Sequence, residues 1–213
     1  MDKFIVLIGD VEDSKELSNE ERENLQVELD RILGRLSEGN SAIVSPYTIT
    51  LGDEFQAVFK RADGVCTDIL KILAELYPVK VRFSVGVGDI NTPINNEQAI
   101  GMDGPAFHVA RRGVEKLKKS GFLFHLSVAG QQLSTTAFIN NSLQLLSQQV
   151  RSWNKNRLRI LYMIKEGDNY KIITEELGIS KAAFYKNKNA ALLDIIGELS
   201  ENMADIINHE IES

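Results

Sequence analysis

Hydrophobic and polar positions along the chain change period several times. Lys3–Gly9 (KFIVLIG) is a continuous apolar run rich in β-branched residues, the pattern of a central strand buried on both faces. Ser18–Leu36 switches to helical spacing, with Leu25, Leu29, Ile32, Leu33 and Leu36 on one stripe and a Ser18–Glu21 capping box in front. Glu38-Gly39-Asn40 ends that helix. Ser41–Leu51 and Glu54–Phe59 then read as a hairpin, with Ile49 and Leu51 alternating against Thr48 and Thr50 and a turn at Gly52. Asp63–Tyr77 reads as a second helix, stopped by Pro78. Val79–Val87 alternates as a strand, and Gly86, Gly88 and Asn91-Thr92-Pro93 lead into an irregular loop. Ala106–Lys119 is helical, and Phe122–Val128 is a final strand.

The predicted order is βαββαβαβ, an α+β domain on the split-βαβ, ferredoxin-like plan, over residues 1–130. On that plan the end of the first strand approaches the hairpin turn, so Asp10 and Asp53 meet in space. Over residues 131–213 the strands stop. Ser142–Trp153 and Arg157–Lys165 look helical, and Tyr170–Leu177, a Gly178 turn and a helix from Ser180 make helix–turn–helix spacing. The last helix is expected to run from Ser180 to near His209. Its apolar stripe is Leu192, Ile195, Ile196, Leu199, Met203, Ile206 and Ile207.

Composition narrows this picture. The chain has 213 residues, is 43% hydrophobic and carries a net charge of -6, so a globally basic nucleic-acid binder is disfavoured. Cys66 is the only cysteine, which excludes an intramolecular disulfide and a thiolate metal cluster. It falls within a predicted helix and reads as a small buried residue. No apolar run approaches the roughly 20 residues of a membrane span, and a cytoplasmic protein is expected.

The chemistry sits at strand ends. Asp10 closes the first strand, and acidic groups at the exit of a buried strand lie where ligands bind in open sheets. Asp13 and Ser14 read as helix caps. Two carboxylates converging at one end of a sheet repel each other unless a cation neutralises them. Mg²⁺ or Mn²⁺ suits such oxygen ligands and accepts substrate phosphates as well. Asp10, Asp53 and the backbone carbonyl near Val11 form the expected ligand set, with Glu54 in reserve.

Four blocks resemble known sequences. IVLIGDVEDS looks like the first metal motif of class III nucleotidyl cyclases, and TLGDEFQAVF resembles their second. The latter is also similar to the GGDEF signature of diguanylate cyclases, with Leu51 in place of the first glycine. VRFSVGVG resembles the strand that follows in both families, and MDGPAFHVARRG the cyclase helix Gly-Pro-Thr-Val-Asn-Leu-Ala-Ala-Arg. The resemblance implies a palm domain with Asp10, Val11 and Asp53 as metal ligands. Gly52, Arg111 and Arg112 would be nucleotide-binding residues, with His108 and Arg112 at the transition-state positions. His108 replaces the cyclase Asn. The base-reading Lys falls near Ile49 and the base-reading acid near Gly101, so purine recognition departs from the cyclase pattern. The whole chain looks like the SatD family of bacterial proteins.

The tail carries its own chemistry. KIITEELGISKAAFYKNKNAAL has apolar spacing, a glycine turn and Ser180 as N-cap. Lys181, Tyr185, Lys186 and Lys188 would face phosphates and base edges. Residues 131–213 hold 9 Lys+Arg against 10 Asp+Glu, a weak footprint for DNA. The apolar stripe from Leu192 is expected to form a homodimer seam. The expectation is therefore a nucleotide-sensing regulator with a divalent-metal palm and a DNA-binding tail. The alternative is an active metal-dependent nucleotide-processing enzyme with a protein-interaction tail.

Overall fold

The computed structural model describes residues 2–50, 52–130 and 134–212. Leu51 and the first residues of the tail lie outside them. Five strands, β1 (Lys3–Val11), β2 (Ile43–Ile49), β3 (Glu54–Phe59), β4 (Val81–Asp89) and β5 (Phe124–Val128), form one sheet in the order β2-β3-β1-β4-β5. β1 runs antiparallel to both neighbours, and β5 lies parallel to β4. Eight α-helices accompany them among the described residues: α1 (Asn19–Gly39), α2 (Val65–Glu75), α3 (Pro105–Ser120), α4 (Ser134–Arg151), α5 (Lys155–Lys165), α6 (Tyr170–Leu177), α7 (Lys181–Ala190) and α8 (Leu193–Glu212).

β1 is central because every residue from Ile5 to Val11 is buried, which only a strand covered on both faces tolerates. One face carries Ile5, Leu7 and Val11 with Phe55, Phe59 and Phe83. α1 and α2 cover it through Leu29, Ile32, Leu33, Ile72 and Leu73. The Ser18–Glu21 capping box starts α1 as expected. Phe184, Leu193, Ile196 and Met203 of the tail belong to the same apolar cluster, so the core runs across residue 130 without a break. The other face carries Val6, Ile8 and Val58 and is covered by α3 through Ala106, Phe107, Ala110 and Val114.

Several expectations need correction. β4 runs on to Asp89, so Gly88 lies inside the strand as Gly86 does, and the loop starts later than expected. A Cβ on Gly86 would overlap the carbonyl oxygen of Ala106 and come within 2.7 Å of the Ala110 nitrogen, so the missing side chain is what lets α3 lie against the sheet. α4 begins at Ser134, two turns before the expected Ser142. Its first turns are polar, but Asn140 clamps them to β5: its Oδ1 accepts from Leu126 N and its Nδ2 donates to Leu126 O, at 2.9 and 2.8 Å. The expected helix from Ser180 to His209 is two helices, broken where Leu192 takes a φ of 52°. The break lets Phe184 of α7 and Leu193 of α8 both reach the core. Ile196 and Met203 are buried within the same chain, whereas Leu192 and Ile195 are 58% and 59% exposed. Part of the stripe is thus used in folding the chain, and Leu192 and Ile195 are left on the surface.

Candidate functional site

The β1 end and the hairpin turn meet as the alternation of strands requires. Asp10 pairs in register with Glu54 on one side and Arg82 on the other. The N–H of Val11 donates to the carbonyl of Asp53 at 3.0 Å, placing Asp10, Val11 and Asp53 on adjoining backbone. Gly52 turns the chain at a φ of 68°, and its carbonyl accepts from Gln26 Nε2 at 3.2 Å. The two carboxylates have different partners. Ser14 is no helix cap; it is buried, and its hydroxyl donates to Asp53 Oδ2. Asp13 makes no side-chain cap either.

Asp10 is 3% exposed, and both its oxygens are taken. Lys118 Nζ lies 2.9 Å from Oδ1, and Arg82 Nη1 lies 2.9 Å from Oδ2. Arg82 Nε also stands 3.1 Å from Glu12 Oε1. Glu12 in turn accepts two bonds from Arg151 at the end of α4, at 2.6 and 3.0 Å. Lys118, Asp10, Arg82, Glu12 and Arg151 thus alternate in sign from α3 to α4. Burial opposes the charge on the Lys118 ammonium, but the bond to Asp10 and the surrounding carboxylates outweigh it and raise its pKa.

This arrangement does not fit a divalent ion as expected. The carboxylate that would hold it is already neutralised by two cations. Among the described residues no group of three His, Cys, Asp or Glu side chains gathers as a metal site. Register explains why the sequence was silent: Arg82 reaches Asp10 only through the antiparallel β1–β4 pairing.

Next to this network lies a cleft of about 310 Å³ lined by Thr50, Gln56, Gly101, Phe107, His108 and Arg111, among others. Arg111 stands at its mouth with Nη1 3.4 Å from Oε1 of Glu54, the buried neighbour of Asp10. His108, one turn earlier on α3, has Nε2 2.8 Å from Asp103 Oδ1. Arg112 is exposed and does not line this cleft. α3 therefore turns Arg111, not Arg112, toward the acidic strand end, because Val109, Ala110 and Val114 occupy its buried face.

In the tail, Asn169 and Ser180 cap α6 and α7, and Gly178 turns between them in the left-handed conformation. Lys181 Nζ sits over the rings of Tyr170 and Tyr185, 5.1 and 6.0 Å from their centroids. Lys188 pairs with Asp194 at 3.0 Å, and Lys186 is exposed.

The SatD family pattern matches residues 4–204. The chain belongs to the SatD family. No curated protein matches this SatD chain. It is similar in fold to a bacterial light-regulated adenylyl cyclase, with a TM-score of 0.43, 19% identity, and 59% of this chain and 43% of that one covered. It is similar also to the guanylyl cyclase domain of the RhoGC fusion protein from the aquatic fungus Blastocladiella emersonii, with a TM-score of 0.43, 16% identity and 66% and 85% covered. A microbial GGDEF domain that interacts with bis-(3′,5′)-cyclic di-GMP gives a TM-score of 0.38 at 20% identity, with 60% and 77% covered. The SatD chain spans less than half the length of the first of these. Among the described residues no helix is long and apolar enough to cross a membrane.

Proposed function

We propose that this SatD-family protein is a nucleotide-sensing regulator of the cytoplasm. Its ferredoxin-like palm would hold a nucleoside triphosphate or related nucleotide, and its α6–α7 pair would act as a DNA-contacting helix–turn–helix. One observation carries the nucleotide reading: Arg111 reaches from the mouth of a polar cleft to the buried Glu54, with His108 on the same side of α3. A guanidinium anchored on one side keeps its remaining N–H groups for phosphate oxygens. Two of the four sequence blocks that resemble cyclase palms, those at residues 50–59 and 102–113, supply residues that line this cleft. The Asp10–Lys118–Arg82 cluster favours sensing over metal-dependent turnover, since the carboxylate for an ion is already engaged. The tail reading rests on Lys181, Tyr185 and Lys186 sharing the exposed side of α7.

The deciding experiment is calorimetric titration of ATP, GTP and their nucleosides into wild type, Arg111→Ala, Arg111→Lys and Arg112→Ala. Arg111→Ala should weaken the triphosphate by about tenfold and the nucleoside far less, since charge-assisted pairs contribute roughly 1.5–3 kcal/mol. Arg111→Lys should recover part of the loss. Equal losses for triphosphate and nucleoside would count against a phosphate role. A loss with Arg112→Ala alone would return the role to the position that the cyclase resemblance implies.

A further inference from the structure

The floor of the cleft holds a polar group with an unmet need. Gln56 projects from β3 on the α3 side of the sheet and is 6% exposed. Its Nε2 donates to the carbonyl of Ala99. Its Oε1 is buried and has no partner among the described residues. The amide cannot be reversed to cure this, because Oε1 would then face the Ala99 carbonyl, acceptor against acceptor. A buried acceptor left without a donor costs free energy, so an orphan in a cleft marks the place for a ligand donor.

The wall opposite is built. Ala99 N donates to Thr48 Oγ1 at 2.8 Å, and Ser45 Oγ donates to Asn95 O at 2.6 Å, pinning the loop before α3 to the edge strand β2. Ile100, Met102 and Phe107 add apolar surface to the same cleft. Thr50 lines it too, and its hydroxyl donates to Glu54, whose carbonyl oxygen and Oε1 lie 3.2 and 3.4 Å away, leaving an oxygen lone pair for an incoming donor. Apolar walls with two polar acceptors suit a flat ring that carries an amino group.

We propose that Gln56 reads the base of the ligand, its Oε1 accepting an N–H from an exocyclic nucleobase amine. The inference rests on the nucleotide reading above and adds the ligand's base chemistry to it. An amine is favoured over a ring N–H because its two hydrogens can serve Gln56 and Thr50 together. Adenine, guanine and cytosine are the three sources of such a group.

The test compares triphosphates with and without the amine: ATP against purine-riboside triphosphate, GTP against inosine triphosphate, and CTP against its 4-desamino analogue. Wild type should lose about tenfold or more in affinity within at least one pair, as an unmet buried acceptor requires. The affected pair identifies the base. In Gln56→Leu that ratio should fall to about one. The ratio is the readout because Gln56→Leu also loses the bond to Ala99, which weakens both members alike. Thr50→Val, which leaves Ala99 untouched, should lower the ratio in part. No discrimination within any pair, or a ratio that survives Gln56→Leu, overturns the assignment. Tripolyphosphate that binds as tightly as the nucleotides overturns it while sparing the phosphate role of Arg111. Absence of all nucleotide binding overturns both.

Discussion

Lys118 Nζ lies 2.9 Å from Oδ1 of Asp10, so an α3 ammonium occupies the side of the carboxylate that faces the cleft helix. Arg82 fills the other oxygen at the same distance. The pairing predicts that millimolar Mg²⁺ or Mn²⁺ leaves the wild-type melting temperature unchanged. Lys118→Ala should create a Mn²⁺-dependent rise, and Asp10→Asn in the same background should remove it. Melting curves with and without the ions decide. A Mn²⁺ rise in wild type that needs Asp10 would mean that the ion displaces Lys118 unaided.

The two cations on Asp10 are not equal. The Arg82 side chain is 15% exposed and touches both Asp10 and Glu12, while the Lys118 side chain is 40% exposed. Arg82→Met leaves the buried Asp10 and the half-buried Glu12 each short of a partner and should cost about 3 kcal/mol. Lys118→Met should cost about 1 kcal/mol, because solvent screens that pair. Urea unfolding of the two variants gives the order, and equal losses would contradict the network's geometry.

Stability should carry the signature of Asp68. Tyr47 Oη and Asn40 Nδ2 both donate to its Oδ2 at 3.2 Å. Burial outweighs these bonds and pushes its pKa up to about 6. The folded value stands above the unfolded one, near 3.9. Asp68 therefore contributes stability at low pH that is lost as pH rises from about 4 to about 6, on the order of 3 kcal/mol. His125 runs the other way. Burial, with Lys116, lowers its pKa to about 4, so its contribution is lost as pH falls from about 6.5 toward 4. The wild-type profile mixes the two. The difference between wild type and Asp68→Asn, measured by unfolding at pH 4.5 and pH 7.5, isolates the first, and a pH-independent difference would refute it.

Gly86→Ala tests how α3 is placed. The new methyl meets the Ala106 carbonyl and the Ala110 backbone, neither of which is a flexible side-chain end. A loss of about 2 kcal/mol is expected from overpacking. Nucleotide affinity should fall as well, because Arg111 follows Ala110 on the displaced helix. Retained stability with unchanged binding would show that α3 has room to shift.

In the tail, Lys186 and Lys188 should differ although the sequence treats them alike. Lys188 is held by Asp194, so its charge is partly cancelled before any phosphate arrives. Lys186→Ala should flatten the log–log salt dependence of duplex binding by about one, and Lys188→Ala by less. Duplex affinity across a salt series distinguishes them. A tail that binds no duplex at low salt would be a protein-interaction module.

By itself the sequence determined what local chemistry controls. The apolar run of β1, the capping box of α1, the glycine turn at Gly52 and the Gly178 and Ser180 signals between α6 and α7 are short-range, and these elements begin where their patterns put them. The meeting of the β1 end with the hairpin turn was legible too, since strand order follows from the alternation of elements. Partners were not. Nothing local links Asp10 to Arg82 or Lys118, which lie 72 and 108 positions away and reach it by cross-strand register and by the pitch of α3. A one-residue change of register would turn Arg82 to the opposite face. The choice of Arg111 over Arg112 was decided by which side of α3 the core buries, and the break at Leu192 by two apolar faces that one straight helix could not both bury. Gln56 alternates inconspicuously within a strand. Only the Ala99 carbonyl, brought to it by the loop before α3, fixes its amide and leaves its oxygen waiting for a donor.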